Sequence, residues 1–179
     1  CVAGVALLGE SLELRHGTGA GWDGFGPVRT ITRSTGNVLY ELDGQPALVL
    51  YREYLGDRAR DLPASALLFP LTVSSPDGST SVVRTVLAVD EADQSMTFAG
   101  DVPQGWNARL MWTTSDNLME GAAHAAETAA QTDAGLTLAV SCVGRRLVLG
   151  DRTEEELDCL SDVMGDSPII GFYSYGEIT

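Results

Sequence analysis

Few residues in this 179-residue sequence have the types and spacing that chemistry needs. Its three cysteines, Cys1, Cys142 and Cys159, are odd in number and far apart, neither a disulfide framework nor a zinc pattern. Cys142 is the most interesting of them, because Arg145 and Arg146 follow it at the end of an apolar run. Guanidiniums and a helix N-terminus would lower its pKa and make it a nucleophile. The competing reading is packing, since free cysteine is among the most buried residue types, and packing is preferred here. Arg145 or Arg146 would then pair with an acid such as Glu41, Asp43 or Glu177. There are two histidines, His16 and His124. Glu120 and Glu127 share a helical face with His124, a set that can hold zinc but lacks a fourth ligand. It reads as a solvated face with weak ion pairing. Trp22, Trp106 and Trp112 could line a ligand, although the last two lie in strand-like segments and read as core.

Other chemistries drop out. All 11 basic residues are Arg, so a Schiff-base lysine, a P-loop lysine and a Ser-Lys dyad are excluded within this chain. The run Gly19–Gly24 matches G-x-G-x-x-G, but a β-prone segment follows it where a dinucleotide site needs a helix N-terminus. No nucleophile elbow, Ser/His/Asp order or paired-carboxylate motif is present. The formal charge of −14 argues against nucleic acid and anionic membrane surfaces as partners. No apolar run reaches about 18 residues, the length that spans a bilayer.

The elements that must position these residues follow from local patterning. Val2–Leu8 and Ser11–Arg15 read as a hairpin, and a Gly-rich loop from Gly17 to Pro27 reads as a domain boundary. Strands are predicted at Val28–Arg33 and Asn37–Leu42, and a helix start at Asp43-Gly44-Gln45-Pro46. Ala47, Leu48, Tyr51, Tyr54 and Leu55 recur at helical spacing. Strands at Phe69–Ser74, Val82–Val89, Ser95–Ala99 and Trp106–Trp112 are separated by turn chemistry, which predicts an antiparallel meander. Ser115 caps a helix to about Gln131, with Leu118, Ala122, Ala125 and Ala129 inward. A buried strand at Leu136–Ser141 and a helical turn at Arg145–Leu149 come next. Thr153-Glu154-Glu155-Glu156 reads as a capping box for a helix ending at Gly165, with Leu157, Leu160, Val163 and Met164 inward. Pro168–Ile178 is the last strand, parallel to the strand ending at Cys142. This order gives an α+β fold, a mainly antiparallel or mixed sheet with about three helices packed on it.

Three segments, Asn37–Ala47, Ser141–Gly150 and Gly171–Ile178, resemble the C-terminal half of the FIST sensory domain, a module of bacterial signalling proteins and eukaryotic F-box proteins. The resemblance covers residues 28–179, which lack the family's final strand, and residues 1–27 look like the tail of the N-terminal FIST half. It implies a cytoplasmic, non-enzymatic, small-ligand-sensing domain that works in signal transduction with an N-terminal FIST half of the same polypeptide. An amino acid is one ligand proposed for the family, and a signalling protein is a further expected partner. Polar residues within these motifs mark the expected ligand-binding set: Asn37, Tyr40, Glu41, Cys142, Arg145, Tyr175 and Glu177. Some family members bind haem. The two histidines here are poorly placed for an axial ligand, so haem binding is not expected of this chain. The alternatives are a protein-interaction module that recognises substrates and, more weakly, a cysteine-dependent enzyme acting through Cys142.

Overall fold

A computed structural model describes residues 6, 8–130 and 134–174. Ten strands are assigned among them: β1 (Asp23–Thr35), β2 (Val38–Leu42), β3 (Gln45–Pro46), β4 (Leu71–Ser74), β5 (Ser81–Arg84), β6 (Val86–Asp90), β7 (Ser95–Phe98), β8 (Asn107–Trp112), β9 (Thr137–Cys142) and β10 (Ile169–Ser174). The helices are α1 (Ala47–Leu55), α2 (Ser115–Ala129), α3 (Val143–Leu149) and α4 (Thr153–Met164). This is the expected α+β class. The long helices α1, α2 and α4 stand where local patterning placed them, and α3 is the helical turn read after Cys142.

The larger sheet runs β5-β4-β8-β1-β2-β7-β6, with β3 paired to β2, and every pairing in it is antiparallel. It is not the predicted meander, because β8 inserts between β4 and β1. The predicted strand Val82–Val89 is in fact two, β5 and β6, broken at Thr85. They occupy opposite ends of the sheet order although one residue separates them. One residue spans only about 3.5 Å, so the two edges must come together and the sheet curls on itself. Its core gathers Ile31, Leu39, Val73, Val86, Met96, Phe98 and Leu110 from strands around Leu48, Leu50 and Tyr51 of α1.

Local chemistry overturns several expected boundaries. Asp43-Gly44 is a hairpin turn rather than a helix start: both residues have positive φ, 51° and 75°, the requirement of a I′ turn. Asp43 Oδ1 accepts from the Thr30 amide at 2.8 Å, which holds the turn against β1. The cap of α2 is Thr114, whose Oγ1 accepts from the Asn117 amide at 3.2 Å, so the cap stands one residue before Ser115. The Ser11–Arg15 arm of the first hairpin forms no strand; its other arm lies mostly outside the described residues. β1 starts at Asp23, inside the segment read as a loop, because Asp23–Phe25 pair with β8. Trp106 packs on the core as expected, whereas Trp112 is exposed.

A second layer follows. β9 and β10 pair in parallel from Ile169↔Thr137 to Ser174↔Cys142, as predicted, with α4 between them in sequence. Leu118, Ala122 and Ala126 of α2 and Leu149 of α3 are buried here, so Ala126 takes the inward place expected of Ala125. α4 keeps its predicted bounds, yet Leu157 faces outward and the only buried residue of the helix is Glu156.

Candidate functional site

The site begins with three glycines. Gly17, Gly19 and Gly21 run as a strap along α2, the last in the left-handed region at φ 65°, and a Cβ at each would collide with the carbonyl oxygen of Ala125, Gly121 and Asn117 respectively. The two periods match. Two extended residues rise about 6.6 Å and four helical residues about 6 Å, so alternate strap positions meet every fourth helix position. Only residues without a side chain permit this approach of backbone to backbone. Gly121 answers from the helix side, since a Cβ there would press on the Gly21 amide nitrogen.

Arg145 secures the strap. Its backbone lies in the first turn of α3, where its N–H donates to Cys142 Sγ at 3.3 Å, so the cysteine serves as the helix cap. The residue is 6 % exposed, and its guanidinium reaches three elements. Nε donates to Glu156 Oε1 at 2.7 Å, one terminal nitrogen donates to Ala20 O at 2.8 Å and Gly19 O at 3.3 Å, and the other donates to Leu118 O on α2. Glu156 is 3 % exposed and also accepts from Ser141 Oγ at 3.3 Å. One buried ion pair therefore joins β9, α2, α3, α4 and the strap. Such burial is tolerable only because the charges are paired and hydrogen-bonded. Nearby, burial and the Glu156 carboxylate hold the Tyr173 phenol above its ordinary pKa, and the Arg146 guanidinium lies 5.0 Å from the ring centroid.

This arrangement corrects the expected partners. Glu41 pairs with Arg33 at 2.9 Å and Asp43 with Arg29 at 3.1 Å, both on the curled sheet, so neither meets Arg145. Glu177 and Tyr175 lie outside the described residues. Glu156 also fails to form the predicted capping box: Thr153 Oγ1 donates to Gly150 O, and the glutamate turns inward to Arg145. Val140, Leu147 and Phe172 are exposed and do not cover Arg145. The strap and α2 cover it instead.

The expected ligand-binding residues divide between the two sheets. Asn37, Tyr40 and Glu41 lie on the β1–β2 hairpin. Asn37 donates its side-chain amide to Phe98 O at 2.8 Å, and the Arg33 guanidinium lies 4.5 Å from the Tyr40 ring centroid. Cys142 and Arg145 lie at the end of β9 and the start of α3. Beside Arg29 and Tyr54 the curled sheet encloses a cavity of about 10 Å³, space for one water at most.

An open groove of about 370 Å³ lies where the strap runs into β1, lined by Gly21, Trp22, Asp23, Asn117, Glu120, Gly121 and His124. Asn117 donates to Asp23 Oδ2 at 2.6 Å and fixes the carboxylate at the groove wall. Glu120, His124 and Glu127 are exposed along α2, the solvated face expected of them. Sequence reasoning set Glu120 and His124 on one helical face, noted Trp22 apart from them, and missed Asp23, Asn117 and the inward role of Glu156. Alternation of glycine at 17, 19 and 21 against Gly121 was the signal available.

Residues 47–179 match the FIST C domain and residues 1–45 the FIST N domain. The chain belongs to the FIST family. FIST domains are taken as sensory domains of signal transduction. No curated protein and no solved structure matches the chain. The two FIST stretches interleave: β1 and β2 of the first share the curled sheet with β4–β8 of the second. The strap belongs to the FIST N stretch, whereas Arg145, Glu156 and α2 belong to FIST C. Among the described residues, no helix is long and apolar enough to cross a membrane, and no three His, Cys, Asp or Glu side chains group as metal ligands.

Proposed function

We propose that this chain is a non-enzymatic cytoplasmic sensor that binds a small molecule in the groove between the strap and α2, working with an N-terminal FIST half. The observation that carries the reading is the joint itself: one buried guanidinium holds the FIST N strap on the FIST C helices, immediately beside an open polar groove. A ligand seated there touches Trp22 and Asp23 on one stretch and Glu120 and His124 on the other. It biases the seating of the strap by the difference in its affinity for the seated and lifted arrangements. Two carboxylates, an imidazole and an indole suit an ammonium group attached to a small apolar body, as in an amino acid. Cys142 and Arg145 act on this site by holding the strap, while Asn37, Tyr40 and Glu41 brace the sheet that carries Asp23.

The test is a thermal-shift screen of the chain against amino acids and simple amines, followed by calorimetric titration of any that raise Tm. The double variant Asp23→Asn/Glu120→Gln is expected to weaken binding at least about tenfold, the value of one lost charge-assisted contact, with an unchanged circular dichroism spectrum. The reading fails if no amine shifts Tm, or if the variant binds as tightly as the wild type. A protein-interaction role is the second reading, favoured by the bare apolar face of β9–β10.

A further inference from the structure

Parallel strands are normally covered on both faces, because the connections between them place other elements there. Among the described residues, β9 and β10 are covered on one. Ser141 on the inner face meets Glu156 of α4, and Tyr173 lies under Arg146 of α3. Alternation sends Leu138, Val140, Ile170 and Phe172 to the other face, and all four are 44–61 % exposed. Leu136, immediately before β9, is exposed as well. The register makes this a compact array: Ile170 stands opposite Leu138, and Phe172 opposite Val140.

We infer that this outer face of β9–β10 is a self-association surface on which two copies of the chain pack across a two-fold axis. The area supports a second copy as the occupant. An aromatic side chain carries about 150–250 Å² and a branched aliphatic one somewhat less, so these five at their exposures leave roughly 400–500 Å² bare, within the range of the largest patch a monomer carries. A stable dimer contributes about 800 Å² per partner, with about 65 % of it apolar. The bare face supplies most of that apolar share. A two-by-two array of apolar residues is self-complementary under a two-fold rotation, and a closed pair leaves no second sticky face. The faces would stack about 10 Å apart with side chains interdigitated. Each copy carries a formal charge of −14, so repulsion opposes the contact and salt strengthens it. The surface uses none of the groove residues, so the proposal stands or falls independently of the sensing site.

Sedimentation velocity of the whole chain at roughly 10–100 µM, the range of a modest interface, tests it. The expected result is a monomer–dimer equilibrium that tightens between about 0.05 and 0.5 M NaCl as charge is screened. Phe172→Glu and Leu138→Ser each weaken the dimer at least about tenfold, whereas Leu87→Ser, an exposed apolar residue of β6, leaves it unchanged. If a variant fails to fold, hydrogen exchange of the wild type reads the same contact, as protection of β9 and β10 that rises with concentration. A monomer throughout the range, a dimer indifferent to both face variants, open-ended aggregation, or a face engaged only by a separately supplied FIST N domain would each overturn the inference.

Discussion

At the scale of single residues, the same acid type has two very different weights in this chain. Glu156 is buried against Arg145, so Glu156→Gln or Arg145→Ala strands a charge and should cost about 3–5 kcal/mol in urea unfolding. Arg33→Ala, which frees the exposed Glu41, should cost at most about 1 kcal/mol by the same measurement. Equal losses would show that the Arg145 pair is solvated. Asp77, in the β4–β5 turn, accepts from the Ser75 hydroxyl and from the Ser79 amide and hydroxyl. These hydrogen bonds pull its pKa from 3.8 down to about 2. The folded value lies below the unfolded one, so the turn's stabilisation is complete above about pH 4 and lost as pH falls through about 2. An NMR titration of the Asp77 carboxyl carbon should show this low midpoint, and Asp77→Asn should flatten that part of the acid limb.

Between elements, the strap and α2 meet with no room for a methyl group. Gly19→Ala drives a Cβ into the Gly121 carbonyl, and neither backbone can yield without lifting the strap from Arg145. The expected cost is about 1–3 kcal/mol of overpacking, accompanied by faster hydrogen exchange along the strap. An unchanged exchange pattern would mean that the strap is not seated by this contact. Thr114→Ala removes the α2 cap and should cost about 1 kcal/mol, restored by Thr114→Ser. Because α2 carries both the Leu118 carbonyl that Arg145 grips and the Glu120 and His124 side chains of the groove, its stability bears on joint and groove together.

For the whole molecule, the FIST N and FIST C stretches cannot unfold separately without breaking a sheet they share. β1 hydrogen-bonds to β8 on one side and β2 on the other, and the strap that precedes it is clamped under Arg145. Far-ultraviolet dichroism and tryptophan fluorescence should therefore report one coincident unfolding transition. Two resolved transitions would show that the stretches are independent. With 25 acidic side chains against 11 basic ones, self-repulsion also opposes the compact state. Tm should rise from low salt to about 0.15 M NaCl as the Debye length shortens to about 8 Å.

What the amino-acid sequence determined by itself was local or pairwise in simple order. The Thr153–Glu156 pattern and the glycine stop placed α4 at its observed bounds, although the capping box itself does not form, and two short apolar runs flanking one helix predicted the parallel pairing of β9 with β10. Motif order alone carried the family. The Asp43-Gly44 turn was equally legible, since Asp-Gly between alternating strands is a hairpin signal, but Pro46 read more strongly as a helix start. Tertiary structure alone decided the rest. Thr153–Glu156 satisfies a capping box locally, yet a buried guanidinium competes for the carboxylate more strongly than one exposed amide does. The break at Thr85 comes from sheet closure, which no window around Val82–Val89 contains. Arg145 and Ala20 are separated by 125 positions, so their contact has no local periodicity to betray it. It exists because glycines at one end of the chain leave room for a helix near the other, and the carbonyls bared by that approach need a buried donor.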